Sequence, residues 1–225
     1  MNNKNHIIVV AGGSGKRMNS DIPKQYLLLN DMPIIANTFN RLQKVDKNAI
    51  LTVVIAEKDK SLWDSCEKFI PFHKKINVAF GGPERFHSVK SALSFVQPNE
   101  VVAIHDSVRP LFSSKMIIEG LQAALIYGSV VPVVEMTESV RKINGAISKS
   151  MDRKNLRLCQ TPQFFKADIL LDAYRQTYCT SFTDDASVVE AAGYSIRMIN
   201  GNSENIKITT QNDLVFAEAI ISKII

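Results

Sequence analysis

The chain has 225 residues, with 27 Lys and Arg against 22 Asp and Glu, so its formal net charge is +5. Hydrophobic residues at 45% and charged residues at 22% exclude a disordered chain, and no apolar run reaches the about 18–20 residues that a membrane-spanning helix needs. The three cysteines, Cys66, Cys159 and Cys179, lack metal-ligand spacing and a disulfide framework. We therefore expect one domain over residues 1–225, with reduced thiols in the cytoplasm and no membrane partner.

Short apolar segments alternate with longer segments whose apolar residues recur at helical spacing. The expected strands are His6–Ala11, Ile50–Ala56, Ile76–Phe80, Glu100–His105 and Val130–Val134, and the expected helices between them are Pro33–Val45, Arg85–Val96 and Ser114–Tyr127. Strands that are apolar at nearly every position must be covered on both faces. The alternation therefore predicts an α/β fold with a mainly parallel sheet.

One segment after Val134 departs from this alternation. Asn144-Gly145 lies between two half-alternating runs, Ser139–Ile143 and Ala146–Ser150, and Asn-Gly favours the type I′ turn of a β-hairpin. Because a two-stranded hairpin cannot bury an apolar face unaided, we expect it to pack on its own domain or on another chain. Beyond it, we expect helices over Lys166–Thr177 and Asp184–Ala192, a strand over Ser195–Ile199 and a last helix from Asn212.

A glycine-rich turn with basic residues follows the first strand. The segment VVAGGSGKRMNSDIPKQYL, Val9–Leu27, carries three glycines and the cations Lys16, Arg17 and Lys24. Glycines let backbone N–H groups approach a phosphate closely, and cations neutralise its charge. A P-loop is excluded because Arg17 stands where it needs Ser or Thr, and a dinucleotide fingerprint because Met18 stands where it needs a glycine. We expect a phosphate-binding loop of another kind; the structural alternative is a tight turn with solvated charges.

A carboxylate stands at the end of another apolar strand. In VVAIHDSVRP, Val101–Pro110, the strand ends at His105-Asp106, and Arg109 follows in the next loop. Open α/β sheets bind ligands at the carboxyl ends of their strands, and a carboxylate there is suited to hold Mg²⁺. The alternative is that Asp106 caps the next helix and pairs with Arg109. His105 by itself is typical of a packed residue.

Two further regions carry polar residues near predicted strand and helix ends. They are DRKNLRLCQTPQFF at Asp152–Phe165 with TDDAS at Thr183–Ser187, and ENIKITTQNDL at Glu204–Leu214. Thr183 and Asp184 of TDDAS are equally suited to cap the next helix, and Asn212 can cap the last one. No Ser/His/Asp arrangement or Cys/His metal pattern is recognisable. Cations with one or two carboxylates suit phosphoryl or nucleotidyl transfer better than acid–base chemistry.

Taken together, the motifs resemble those of a known family. The order AGGSGKRM…PKQYL, GGPERFHSV, HDSVRP, DRKNL…QTPQFF, TDDAS and ENIKIT resembles the 2-C-methyl-D-erythritol 4-phosphate cytidylyltransferases of the non-mevalonate isoprenoid pathway. The resemblance runs from His6 to Ile225 and keeps the six motifs in the family's order. Six ordered motifs are far more specific than a single glycine loop.

The resemblance implies a fold and a reaction. The fold would be a Rossmann-like nucleotidyltransferase with a projecting β-arm, residues 136–155, that pairs two subunits into a homodimer. The enzyme would join CTP to a polyol phosphate, 2-C-methyl-D-erythritol 4-phosphate, with Mg²⁺ as the cofactor. The acceptor phosphate would attack the α-phosphorus of CTP in line and release pyrophosphate.

The resemblance also implies roles for individual residues. Arg17 and Lys24 match the cations that stabilise the transition state, and Asp106 matches the carboxylate associated with the metal and the nucleotide. The matches to the nucleotide-binding positions are Ala11, Gly12, Gly13, Gly15, Lys16, Gly81, Gly82, Pro83 and Ser88. The positions that match the substrate surroundings are Arg109, Arg153, Thr161, Thr183 and Lys207, of which Arg153 lies by the arm and would serve the partner's site.

Two features of the motifs leave alternatives open. Pro83 stands where relatives often carry a residue with a free N–H, so one contact to the base would lack its donor. HDSVRP also occurs in ribitol-phosphate cytidylyltransferases, although Asp152-Arg153 and the TDDAS run favour the methylerythritol enzymes. A sugar-1-phosphate nucleotidyltransferase that uses UTP or GTP has a similar glycine loop. A nucleic-acid-binding module is disfavoured, because the cations lie at separate strand ends and the chain has one Trp.

Overall fold

A computed structural model describes residues 4–13, 18, 22–70 and 76–222. The strands of this part of the chain are β1 (Asn5–Ala11), β2 (Leu28–Leu29), β3 (Met32–Pro33), β4 (Ile50–Ile55), β5 (Asn77–Phe80), β6 (Val101–Asp106), β7 (Ser129–Glu135), β8 (Val140–Asn144), β9 (Ile147–Met151), β10 (Arg157–Cys159), β11 (Gln163–Lys166) and β12 (Arg197–Asn200). The helices are α1 (Ile34–Val45), α2 (Lys60–Glu67), α3 (Arg85–Ala92), α4 (Ser114–Tyr127), α5 (Ala167–Ala173), α6 (Asp185–Ala191) and α7 (Gln211–Ile221). None of these described helices is long and apolar enough to cross a membrane.

Eight of the described strands form one mainly parallel sheet in the order β10-β7-β11-β6-β1-β4-β5, with β12 paired to β7. β1 lies between β4 and β6 and is parallel to both, whereas β10 and β11 run antiparallel to their neighbours. The α/β prediction with a mainly parallel sheet is confirmed. The parallel strands bring the glycine loop after Ala11 and the carboxyl group of Asp106 to the same edge of the sheet.

Both faces of the sheet are covered, which explains why its central strands are apolar throughout. Alternate residues of β1 point to opposite faces, so Ile7 packs among residues of α1, α2 and α4 whereas Ile8 packs among residues of α3, α5 and α6. Both side chains are fully buried. A third cluster joins α7 to the loop after β6 through Val108 and Ile208. This cluster anchors the segment that carries Lys207 beside the end of β6.

Two predicted boundaries after the hairpin are wrong. The predicted helix over Lys166–Thr177 begins only at Ala167 and ends at Ala173, because Gln163–Lys166 forms a strand between β6 and β7. The last helix begins at Gln211, and its N-cap is Thr210 rather than Asn212. The hydroxyl of Thr210 accepts from the backbone N–H of Asp213 while the Asp213 carboxylate accepts from that of Thr210, which forms a capping box.

The predicted hairpin forms β8 and β9, which pair only with each other among the described strands. The two turn residues are Gly145 and Ala146, because Asn144 pairs with Ile147 as the last residue of β8. Gly145 has a φ of +59° and Asn144 has no positive φ, so the predicted type I′ turn at Asn144-Gly145 is wrong and a glycine at the first turn position fits type II′ instead. Almost every side chain of the hairpin is exposed, including Ile143 at 74% and Ile147 at 76%. Within the described chain, the hairpin therefore projects from the domain without burying an apolar face.

Candidate functional site

A cavity of about 400 Å³ lies at the carboxyl ends of β1 and β6. It is lined by residues from five segments, namely Val10, Ala11, Gly12, Gly13, Lys24, Gln25, Gly82, Pro83, Glu84, Arg85, Ser88, Asp106, Ser107, Val108 and Lys207. The structure thus brings together predicted residues from the glycine loop, the GGPERFHSV motif, the HDSVRP motif and ENIKIT. The predicted residues Gly15, Lys16 and Arg17 lie outside the described residues.

The beginning of the glycine loop is tied down by a buried amide. Gln25 is 1% exposed, and its Nε2 donates to the carbonyl oxygen of Ala11 at 2.7 Å and to that of Gly13 at 3.4 Å. These bonds turn the two carbonyl groups toward Gln25 rather than toward an anion in the cavity. The residue was not predicted as part of the site, although its position beside Lys24 in PKQYL was a usable signal.

A second wall is shaped by the close approach of α3 to the two glycines that follow β5. The N–H of Gly81 donates to the carbonyl of Ile55 at 2.8 Å, and that of Gly82 to the hydroxyl of Ser88 at 3.2 Å. A Cβ atom at Gly82 would lie 2.5 Å from that of His87, so a side chain at this position would displace α3. The two glycines and Ser88 therefore form a fixed backbone wall next to Pro83.

Asp106 is the buried carboxylate of the cavity, and cations from its own turn and from distant segments surround it. Its Oδ2 lies 2.9 Å from Lys207 Nζ and 3.3 Å from Arg109 Nε. Burial opposes ionisation of this carboxyl group, but Lys207, Arg85 and Arg109 outweigh it and hold its pKa well below the usual range. Asp106 is therefore ionised at neutral pH. The N-cap of the following helix is Ser113, so the alternative capping role for Asp106 is wrong, whereas its pairing with Arg109 is confirmed.

Arg109 and Thr161 lie behind Asp106 rather than on the described cavity wall. Arg109 Nη1 donates to the carbonyl of Asn205 at 2.7 Å, and Thr161 is 6% exposed. The Thr161 hydroxyl accepts from the backbone N–H of Asp106 at 3.0 Å and lies 3.0 Å from Nδ1 of the fully buried His105. Arg109 and Thr161, which were both predicted to bind the substrate, therefore already make hydrogen bonds to other groups of the protein.

Arg85 is a cation of the cavity wall that the sequence analysis did not single out. Its guanidinium binds Asp185 through two hydrogen bonds of 2.8 and 2.6 Å, and the Tyr174 hydroxyl donates to the same carboxylate at 2.6 Å. Asp185 is fully buried, so the pair fixes the guanidinium while its side chain stays 28% exposed to the cavity. Arg85 belongs to the GGPERFHSV motif, but nothing in the sequence indicates that it pairs with Asp185 of TDDAS, a residue that reads only as the start of a helix.

Arg153 and Thr183 lie away from this cavity within the described chain. Thr183 lines a second cavity of about 590 Å³ together with Lys154, Arg157 and Asp184. Its N–H donates to Ser187 in the turn that begins α6, and the predicted N-cap at Asp184 is confirmed. Arg153 is exposed and donates through Nη1 to the carbonyl of Thr137 at the base of the hairpin.

A mainly parallel sheet with glycine-framed walls, fixed cations and a buried, ionised carboxylate at its carboxyl edge defines a nucleotidyltransferase-type enzyme. The family model for 2-C-methyl-D-erythritol 4-phosphate cytidylyltransferase matches residues 5–223. The cytidylyltransferase of that name from Phocaeicola vulgatus is 41% identical over 96% of this chain and 99% of its own, and that from Geobacillus kaustophilus is 35% identical over 96% of each. The chain belongs to the 2-C-methyl-D-erythritol 4-phosphate cytidylyltransferase family.

Solved structures of the family share the architecture. The Francisella tularensis 2-C-methyl-D-erythritol 4-phosphate cytidylyltransferase has a TM-score of 0.77 and 30% identity, with 96% of this chain and 99% of that chain covered. The 4-diphosphocytidyl-2C-methyl-D-erythritol synthase from Anaerococcus prevotii has a TM-score of 0.83 at 23% identity, covering 98% and 96% of the two chains. The predicted Rossmann-like nucleotidyltransferase fold is thereby confirmed.

The buried His105 predicts an acid-sensitive stability. Burial lowers the pKa of His105 to about 4, against an ordinary 6.5, so the unfolded chain takes up a proton before the folded chain does as pH falls through this window. The free energy of unfolding should fall by about 2 kcal/mol between pH 7 and pH 5 from this residue alone.

Urea titrations of the parent and of His105→Gln at both pH values measure this loss of unfolding free energy. The variant should lose about 2 kcal/mol less than the parent, and equal losses would contradict the prediction. The lowered pKa of Asp106 acts only below this window.

Proposed function

We propose that this chain transfers the cytidylyl group of CTP to 2-C-methyl-D-erythritol 4-phosphate and releases pyrophosphate. The observation that carries the proposal is the Asp106–Lys207 pair, which stands in one cavity with the start of the glycine loop and Lys24. Such a cavity offers separate cations for two anions, a triphosphate at the glycine loop and an acceptor phosphate at Lys207. Membership in the family supports the choice of substrates.

The reaction needs positioning and charge neutralisation more than proton transfer. A phosphate monoester is largely a dianion at pH 7, because its second pKa is about 6, so its oxygen can attack without a general base. A bond forms between that oxygen and the α-phosphorus of CTP, while the bond from the α-phosphorus to the bridging oxygen breaks and pyrophosphate leaves with the electron pair. The buried His105 is accordingly not required as a base.

Lys24 and Lys207 would serve the two reactants from different segments of the cavity lining. Lys24 lines the same cavity as Gly12 and Gly13, where it would neutralise charge on the triphosphate together with Arg17 of the same loop. The side chain of Lys207 is 40% exposed, so its ammonium group can bind an incoming phosphate while Asp106 holds it in place. Fixed charges of this kind need no reorganisation as charge develops.

The donor set at Asp106 fits a Mg²⁺ ion that is held mainly by phosphate oxygens. The described residues contain no group of three or more His, Cys, Asp or Glu side chains that could hold a metal, so this part of the chain by itself offers no cage. Mg²⁺ is commonly bound by one or two carboxylates together with substrate phosphates and water, and Asp106 stays ionised for that purpose. The ion would supply neutralisation of the triphosphate.

We further propose that the arm, residues 136–155, pairs two copies of the chain in a homodimer. The exposed Ile143 and Ile147 near the tip of the hairpin are apolar surface that a second copy would cover. Arg153 at the arm's base would then contribute to the partner's site. All three cysteines are unpaired, which supports a reducing, cytoplasmic location.

A matrix of substrates tests the reaction. Pyrophosphate release should be measured with each of the four nucleoside triphosphates against methylerythritol phosphate and ribitol 5-phosphate, with Mg²⁺ and with a chelator. We expect turnover with CTP, methylerythritol phosphate and Mg²⁺, and little with the other combinations. Preference for ribitol 5-phosphate, or for UTP or GTP, would replace the proposed function with one of the two related transferases.

Loss of a transition-state cation should lower kcat. Lys24→Ala and Arg17→Ala should each reduce kcat on the order of 10²–10³-fold, because each would remove a preorganised charge beside the triphosphate. Lys115→Ala is a matched control, since Lys115 is 82% exposed on α4 and lies outside the lining of the cavity. Steady-state kinetics with unchanged circular dichroism would check the result. Near-parental kcat in both variants would contradict the assignment.

Mixed dimers test whether Arg153 serves the neighbouring subunit. Arg153→Ala chains and Lys24→Ala chains should each be nearly inactive, and subunit exchange should restore partial activity, because one site of the mixed dimer has both residues intact. Arg141→Ala is the control within the arm, since Arg141 bonds only Ser148 of the same hairpin in the described contacts. No recovery after confirmed exchange would show that Arg153 does not act across subunits.

A further inference from the structure

We propose that His105 is a positioning residue that aligns the acceptor-phosphate half of the site without touching either substrate. The inference rests on the proposed function, because that function places the acceptor phosphate at Lys207. In the described structure His105 is 0% exposed and is not part of the cavity lining. Its effect must therefore pass through the residues that it binds.

The imidazole ring of His105 bridges two segments that the sequence separates. Its Nδ1 lies 3.0 Å from the hydroxyl oxygen of Thr161, and its Nε2 lies 3.0 Å from the carbonyl oxygen of Arg109. The ring also meets that of Phe112 edge-on, with centroids 5.1 Å apart and planes at 88°. Both nitrogens and the ring edge are thus engaged, which leaves the side chain one orientation.

The directions of the hydrogen bonds are mutually consistent. A carbonyl oxygen only accepts, so Nε2 of His105 carries the hydrogen that is donated to Arg109. The Thr161 oxygen accepts from the N–H of Asp106 at 3.0 Å, and its own hydrogen is available to Nδ1. A neutral ring with its hydrogen on Nε2 satisfies every partner. The backbone of Asp106 is thereby tied to the same bridge.

Asn205 closes this bridge into a ring of contacts. Its backbone carbonyl accepts from Arg109 Nη1 at 2.7 Å, and its side-chain Nδ2 donates to the backbone carbonyl of Thr161 at 2.9 Å. The ring therefore joins the end of β6, the loop after it, the segment before β11 and the segment that leads to Lys207. The Gly82–Ser88 contact and the Gln25 tether of the nucleotide half contain none of these side chains.

Because the Asp106 side chain keeps its ion pair with Lys207 without the imidazole, this separation predicts that loss of the imidazole affects the acceptor more than CTP. His105→Phe keeps a ring beside Phe112 but leaves the Thr161 hydroxyl and the Arg109 carbonyl without their partner. We expect the KM for methylerythritol phosphate to rise about ten-fold, while the KM for CTP stays within about two-fold. His105→Gln places an amide N–H near Nε2, and His105→Asn an amide oxygen near Nδ1. Each should recover part of the loss.

The matched control is His6, a second fully buried histidine of the sheet. His6 bonds Glu100 and Thr52 at the opposite, amino ends of the strands. His6→Asn removes a comparable buried imidazole and retains an amide partner for Glu100, so it should lower stability and leave both KM values unchanged. Equal shifts of both KM values in the His105 variants, or the same split in His6→Asn, would overturn the proposal.

Hydrogen exchange provides a readout that does not depend on turnover. In His105→Phe, or in His105→Gln if the first variant fails to fold, the amides of residues 105–112 and 160–163 should exchange faster than in the parent, and those of β4 should not. Unchanged exchange in these segments would also overturn the proposal. A parent that shows no cytidylyl transfer to methylerythritol phosphate would contradict the proposed function alone, since exchange would still test the bridge.

Discussion

The site depends on the neutralisation of one buried carboxylate. A carboxyl group as enclosed as that of Asp106 would be protonated or destabilising without nearby positive charge. Arg109 lies three residues further along the chain, in the turn after β6, whereas Lys207 comes from a distant segment, so folding must bring Lys207 to the end of β6 before the charge can be tolerated. In return, the carboxylate orients Lys207 toward the cavity. The same pair thus stabilises the local fold and prepares the site for anions.

Another part of the cavity wall uses the same principle with the charges exchanged. Arg85 is a cation at the cavity, and its partner Asp185 is the buried anion, further bound by the Tyr174 hydroxyl. Because two parallel hydrogen bonds fix the plane of a guanidinium, Arg85 offers its remaining donors in a fixed direction. The cavity is therefore framed by charges whose partners lie behind the wall. Such preorganisation suits a reaction that is limited by the placement of two polyanions.

The hairpin and the domain illustrate different kinds of stability. The central strands are apolar on both faces because helices cover them, and their residues are largely inaccessible. The hairpin is held only by its own cross-strand pairs among the described contacts, and such a unit is marginal in water. A second copy of the chain would cover the exposed apolar side chains of the hairpin. Since Arg153 lies at the base of the same arm, the proposed assembly would also complete the proposed site.

Several features followed from the amino-acid sequence by itself. Alternating apolar and helical segments predicted the parallel sheet, Asn144-Gly145 predicted the hairpin, and the glycine loop and the strand ending at Asp106 predicted where the site lies. These patterns are local, since periodicity, turn chemistry and strand ends are set by neighbouring residues. The antiparallel strand β11 was missed, because its short apolar run does not differ in pattern from the start of a helix.

Only the tertiary structure decided which side chains work together. Arg85 and Asp185 are 100 positions apart, Arg109 and Asn205 are 96 apart, and His105 and Thr161 are 56 apart. No spacing rule connects such residues, because sheet order and loop paths determine their proximity. The tertiary structure also changes the interpretation of His105. In the sequence it is typical of a packed core residue, yet its two ring nitrogens bond Thr161 and the carbonyl of Arg109 on either side of Asp106. The sequence identified the motifs and the family, whereas the pairing of charges and hydrogen bonds arose from packing the whole chain.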